Sequence, residues 1–312
     1  HTRYWRDWSS DVCSSDLRLC FNIAVMSSVV SSPPPSGIRG GPSSPSAFFD
    51  ISQLPSVKKG MSSSEETMKR RKTCRFIEEA GRVLKLPRVA ISTAMVFFHR
   101  FYAKHAFQDH DRFEVAVASL VLASKTEEAP KKLNTVIQEC YKLKTRAMQA
   151  GRLSKQPSSS PKDQDASTSS SDYLDPKGEE FAKLKERILL LERIILHTIG
   201  FELSIDHPYK FFVDQIKKLI ATRQLKYSSP SKAQGSNSEI KSRMMNELVQ
   251  YSMSTANDSY QTSLCLQYSP RQIATACVYL ACMFSGVEPV NGDWKTTLLL
   301  PGRPRNRDRK ST

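Results

Sequence analysis

Two charged residues sit where charge is costly. Glu192 has Ile188, Leu189, Ile195 and Leu196 as its i±3 and i±4 neighbours, so a helix here sets the carboxylate in an apolar stripe. A carboxylate so placed needs a partner. Lys125 ends the run VAVASLVLAS, one helical turn after Val121 and Leu122. The chemistry open to such a pair is electrostatic. Either the two bond to each other inside the fold, or they hold polar groups of a partner. The residues alone leave both readings open.

Little else in the chain has the spacing of a reactive site. The six histidines (His1, His99, His105, His110, His197 and His207) show no HExxH or other metal spacing, and His99 reads as a satisfied core histidine. The seven cysteines (Cys13, Cys20, Cys74, Cys140, Cys265, Cys277 and Cys282) form no CxxC pair, which suits reduced thiols of the cytosol or nucleus. There is no GxGxxG, P-loop, HRD, DFG or GxSxG, and GIRGG (37–41) is an isolated cluster in a Pro/Ser tail. An enzyme is not expected, nor a metal or cofactor. The tetrad Lys69, Arg70, Arg71 and Lys72 reads either as a nuclear-import signal or as a solvated helical face.

The elements that must position Lys125 and Glu192 are helical. Residues 111–125 are apolar on every side from Val115 to Ala123, the pattern of a buried helix that others wrap. Asp111 with Glu114 three residues on is a capping-box pattern. Before it, a helix starts near Ser64 with Glu65 and Glu66 in its first turn, and a second opens at Pro87 with Ile91, Ala94, Met95, Phe98, Phe101 and Tyr102 on one face. After it, Pro130 opens a fourth helix with the stripe Leu133, Val136, Ile137, Cys140, Tyr141 and Lys144. Residues 150–176 are rich in Ser, Pro and Asp and read as a disordered insertion. Helices resume at about 179–199, 208–222, 239–258 and 270–284, with a further polar insertion at about 223–238.

The last of these exposes a repeat. IATACVYLACM (273–283) aligns without gaps on VAVASLVLASK (115–125), and the copies differ at their last residue, Lys125 against Met283. Two copies of one helical unit are expected: a first at 64–200 and an incomplete second at 207–293, followed by a basic tail, 294–312, that loses apolar periodicity. Residues 1–17 resemble translated sequencing-adapter sequence, 18–30 read as leader before a start at Met26, and the whole of 1–63 is expected to be disordered.

The length of 312 residues suggests about two domains, and a mean hydropathy of −0.43 with no run of ~20 apolar residues excludes a spanning helix. A net charge of +15 suits nucleic acid or an acidic partner, but much of it lies in the tails.

Four stretches carry a family resemblance: FFHRFYAKHAF (97–107), LASKTEEAPKKLNTVI (122–137), LLLERIILHTIGFELSIDHPYKFF (189–212) and NDSYQTSLCLQYSPRQIATACVYLA (257–281). Together they resemble the cyclins, specifically the transcriptional branch of T and K types; cell-cycle cyclins usually carry Asp where this chain has His99. The resemblance implies an all-α fold of tandem five-helix cyclin boxes, each around a central helix, with the second box incomplete. It implies a non-enzymatic nuclear subunit that activates a cyclin-dependent kinase acting on the RNA polymerase II C-terminal domain. Lys125 and Glu192 then correspond to the residues that anchor the kinase's αC helix, with Glu128, Phe101 and Leu133 on the same face. Two alternatives stand beside it: a DNA-binding adaptor like transcription factor IIB, which also uses tandem cyclin folds, and a non-functional truncated fragment. The adaptor lacks support in the chain, which has no zinc-ribbon spacing and is near neutral over 239–293, so no direct nucleic-acid contact is expected.

Overall fold

The computed structural model describes residues 53–153 and 174–298. They form eleven helices and one pair of short strands: α1 (Pro55–Lys58), α2 (Ser63–Val83), α3 (Arg88–Lys104), α4 (Arg112–Thr126), α5 (Leu133–Leu153), α6 (Glu179–Thr198), α7 (Pro208–Ala221), β1 (Leu225–Tyr227), α8 (Asn237–Ser259), α9 (Leu264–Gln267), α10 (Pro270–Ser285), β2 (Val287–Pro289) and α11 (Trp294–Leu298). Two compact units result. Among the described residues, the first comprises 53–207 together with 257–268, and the second comprises 208–256 and 269–298.

In the first unit α4 is the axis. Every residue from Val115 to Ser124 is buried, and α2, α3, α5 and α6 all pack on it. Burying each of its Val and Leu side chains contributes roughly 1.5–3 kcal/mol. Asp111 caps it by accepting from the backbone N–H of Phe113 (2.9 Å) and Glu114 (3.0 Å). The reciprocal arm of the expected capping box is not made. The Glu114 carboxylate instead takes Arg187 of α6 at 2.9 Å, so a cross-helix ion pair outcompetes the local bond. Close approach of α2 to α3 needs Gly81, where a Cβ would lie 2.5 Å from Ile91 Cγ1.

The second unit repeats the theme with α10 as its buried helix against α7. Here Ser269 makes the full capping box with Gln272.

Four expectations need correction. Order begins before residue 63: α1 precedes α2, with Leu54 and Ser56 buried and Ser56 Oγ accepting from the Phe107 N–H. The fourth helix starts at Leu133, not Pro130, and runs to Leu153, into the predicted insertion. The stretch 223–238 is not wholly loop, since β1 pairs antiparallel with β2 in the register Leu225↔Pro289, Lys226↔Glu288, Tyr227↔Val287. Three residues are too few to show a period of two, so this pairing had no readable pattern. Trp294–Leu298, placed in the aperiodic tail, forms α11, with Leu298 buried and Trp294 edge-on to Tyr279. The expectations for residues 1–52, 154–173 and 299–312 lie outside the described residues.

Candidate functional site

The end of α4 and the middle of α6 bring Lys125 and Glu192 together. Lys125 Nζ lies 2.6 Å from Glu192 Oε1. The partners differ in setting: the Glu192 side chain is 10% exposed and that of Lys125 is 54% exposed. The carboxylate is thus sunk in its apolar stripe and the ammonium reaches it from solvent. Of the two electrostatic readings of the sequence, this geometry shows the first: the two residues bond to each other. Such half-exposed pairs are worth about 0–1 kcal/mol to the fold, so stability alone gives little reason for it. Beside it, Leu189 of α6, three residues before Glu192, stands 39% exposed.

The chain leaves α4 through a strained turn. Glu127 N–H bonds to Ala123 O, and Ala129 N–H reaches back to Ser124 O at 2.9 Å. Between them Glu128 adopts a left-handed conformation, φ 53°. For a residue with a side chain this costs of order 1–3 kcal/mol. Glu128 is exposed and its N–H bonds to Lys125 O at 3.3 Å, and Leu133, at the start of α5, is half-buried. Glu127, unlike its neighbour, turns inward and accepts from Thr93 Oγ1 at 2.7 Å.

Phe101 does not belong to this face. It has no exposed surface, stacks on His105 at 4.5 Å and meets Tyr102 edge-on at 5.1 Å, so it is a core residue. The helical spacing that grouped it with the face is the spacing that turns it inward.

The basic tetrad also divides. Lys69 pairs with Glu65 at 2.9 Å on the surface, whereas Arg70 is buried to 2% and bonds to the equally buried Glu66. Arg70 also donates to Tyr102 O (3.2 Å) and to His99 Nδ1 (3.1 Å). With its second basic residue in the core, the tetrad Lys69, Arg70, Arg71 and Lys72 is not a wholly solvated face, which corrects that reading at Arg70; the other three keep surface exposure. The residue missed was Glu66, four positions before Arg70, the spacing of a helical ion pair.

His99 is the satisfied core histidine expected. Arg70 donates to Nδ1, so the proton sits on Nε2 and is donated to Tyr260 O at 2.8 Å. Burial, and then the Arg70 guanidinium, push the imidazole down to about 3. Among the described residues no three His, Cys, Asp or Glu are placed to hold a metal, and no helix is long and apolar enough to cross a membrane.

The family model "Cyclin, N-terminal domain" matches residues 50–204, and "Cyclin-T2-like, C-terminal domain" matches residues 234–294. Cyclin-T1-3 of Oryza sativa subsp. japonica is 30% identical over 262 residues, covering 82% of this chain and 44% of its own length. Cyclin-K of Homo sapiens is 31% identical over 232 residues, covering 74% of this chain and 32% of its own. The chain thus spans less than half the length of these relatives. Among solved structures, a chain of the yeast RNA Pol II CTD kinase CTDK-1 complex superposes with a TM-score of 0.51 at 17% identity, over 76% of this chain and 62% of that one, a likeness of fold.

Proposed function

The chain belongs to the cyclin family, and from that premise we propose that it is the nuclear regulatory subunit of a transcriptional cyclin-dependent kinase acting on the RNA polymerase II C-terminal domain. In this reading it performs no chemistry itself. It holds the kinase's αC helix against the first unit, and the kinase does the phosphoryl transfer. The observation that supports this most directly is the Lys125–Glu192 pair, half in solvent with the exposed Leu189 beside it. A partner helix laid across this edge would cover Leu189, exclude water from the pair and so strengthen each bond it shares with Lys125 or Glu192. Glu128 and Leu133 would rim that contact. The relatives' names, T-type and K-type cyclins, support the transcriptional assignment.

Reconstitution tests this. The full chain, mixed with purified T-type or K-type partner kinases, is expected to switch on phosphorylation of a peptide of polymerase C-terminal repeats. Lys125→Ala and Glu192→Ala are expected to abolish that gain. Failure of every transcriptional kinase to bind or respond would overturn the proposal.

A further inference from the structure

A chain of buried hydrogen bonds runs from Tyr260 to the turn that ends α4. Tyr260, His207 and Thr93 are 2%, 7% and 0% exposed. Tyr260 Oη lies 2.5 Å from His207 Nδ1, His207 Nε2 lies 2.9 Å from Thr93 Oγ1, and Thr93 Oγ1 lies 2.7 Å from Glu127 Oε1. Donor arithmetic fixes the direction. The threonine hydroxyl has one proton and the carboxylate only accepts, so that proton goes to Glu127. Thr93 must then accept from His207, which places a neutral ring's proton on Nε2. Nδ1 is left as an acceptor for the Tyr260 hydroxyl. Tyr260 is held at its other end too, because its carbonyl accepts from His99 Nε2 at 2.8 Å.

We propose that Tyr260, His207 and Thr93 are positioning residues: their one-way relay pulls Glu127 inward and so fixes the strained turn that presents Lys125 and Glu128. The partnership joins residues from three separate stretches of the first unit to one carboxylate, and that carboxylate is adjacent to the left-handed Glu128. A relay kept only for stability has an easy alternative. Val at 93, Leu at 207 and Phe at 260 would fill much the same space with no buried polar group to satisfy, and replacing all the partners of a buried polar network by apolar groups is often neutral. What apolar side chains lack is direction: they do not prefer Glu127 turned inward over Glu127 turned out. The consequence for partner capture rests on the kinase-facing reading above, whereas the relay itself does not.

The test uses the full chain, first alone. Thr93→Val and Tyr260→Phe are each expected to speed amide exchange at Glu127, Glu128 and Ala129 by about ten-fold relative to the rest of α4. The double variant should be no faster than either single one, since a relay is broken once. Thr93→Ser should restore slow exchange. Cys140→Ala, in the core of α5, serves as the control for general loosening and should not single out these three amides. With kinase added, Thr93→Val should weaken binding about ten-fold and Cys140→Ala should not. Exchange that follows global stability as in Cys140→Ala, or additive effects in the double variant, would overturn the relay. Fast exchange with unaltered kinase affinity would overturn its role in partner capture, while Lys125→Ala, read in the same assay, reports separately on the kinase-facing site.

Discussion

The two copies of the buried helix, α4 and α10, are built alike and end differently. Both are capped by a side-chain oxygen, both are largely buried through their middle turns, and both leave through a residue with left-handed backbone three positions after the aligned pair Lys125 and Met283. In α10 that residue is Gly286, φ 64°, which adopts the conformation without strain. In α4 it is Glu128, φ 53°, with a side chain that resists it. The surroundings differ in the same sense. Among the described residues, the first unit buries Glu66, Arg70, His99, Glu192 and His207, whereas the polar groups buried in the second are hydroxyls: Ser252, Thr255, Thr275, Ser285 and Thr297. One fold, used twice, thus shows its least costly solution in the second unit. Two of the departures in the first, Glu192 and the relay from His207, lead to the end of α4, where a partner is proposed to bind, whereas Glu66, Arg70 and His99 cluster between α2 and α3.

The largest effect expected from this asymmetry is on kinase binding. Lys125→Ala or Glu192→Ala should weaken capture by roughly thirty-fold to a few thousand-fold, the ~2–5 kcal/mol typical when one member of a charge pair buried at an interface is removed. Met283 is as exposed as Lys125, at 55%, and occupies the aligned position. Met283→Ala should therefore bind the kinase nearly as the parent does. Equal losses in the two units, measured by calorimetry on folded variants, would erase the functional half of the comparison.

A second difference is expected in acid. His99 is fully buried and depressed to about 3 by burial and by Arg70. An unfolded imidazole takes up its proton near 6.5, and the folded one does not. Stability from this residue is therefore complete above pH ~6.5 and lost as pH falls from there toward 3, by at most ~1.4 kcal/mol per pH unit. The first unit should melt progressively lower over that range. His99→Gln, which keeps a donor for Tyr260 O, should flatten this slope. If the slope is unchanged in that variant, the acid sensitivity belongs to other groups and the contrast in buried polarity does not explain it.

How much of this was legible in the sequence follows from what each signal encodes. The central helix and its repeat were readable, because all-round apolarity is a local pattern with one physical reading. Lys125 and Glu192 stood out as charges that need partners, but the residues left open whether they meet each other, and only the tertiary fold brings them to 2.6 Å. Arg70 was misread because the tetrad draws attention to charge, while its fate was set by Glu66 one turn earlier and by His99 on another helix. Phe101 was misread because periodicity gives a face but not which neighbour covers it. The relay was invisible: Thr93, Glu127, His207 and Tyr260 are each ordinary in their own segments, and only the tertiary fold adds their donors and acceptors together.

The smallest and sharpest test exchanges the two endings. At Gly286 an added Cβ would meet nothing within 4 Å, so Gly286→Ala should be penalised by backbone strain alone. A destabilisation of about 1 kcal/mol is expected, a few degrees in the melting of the second unit. The reverse change, Glu128→Gly, should relieve the first unit by a comparable or smaller amount, since glycine also adds freedom to the unfolded chain. A residue kept only for stability would then leave nothing lost. If Glu128 rims the kinase contact, the more stable variant should bind the kinase more weakly, so that stability and affinity move in opposite directions. Melting and kinase titration of the same two proteins decide it. A Glu128→Gly protein that is both more stable and equally competent in binding would leave the strain at this turn without a function, and would reduce the contrast between the two helix ends to chance.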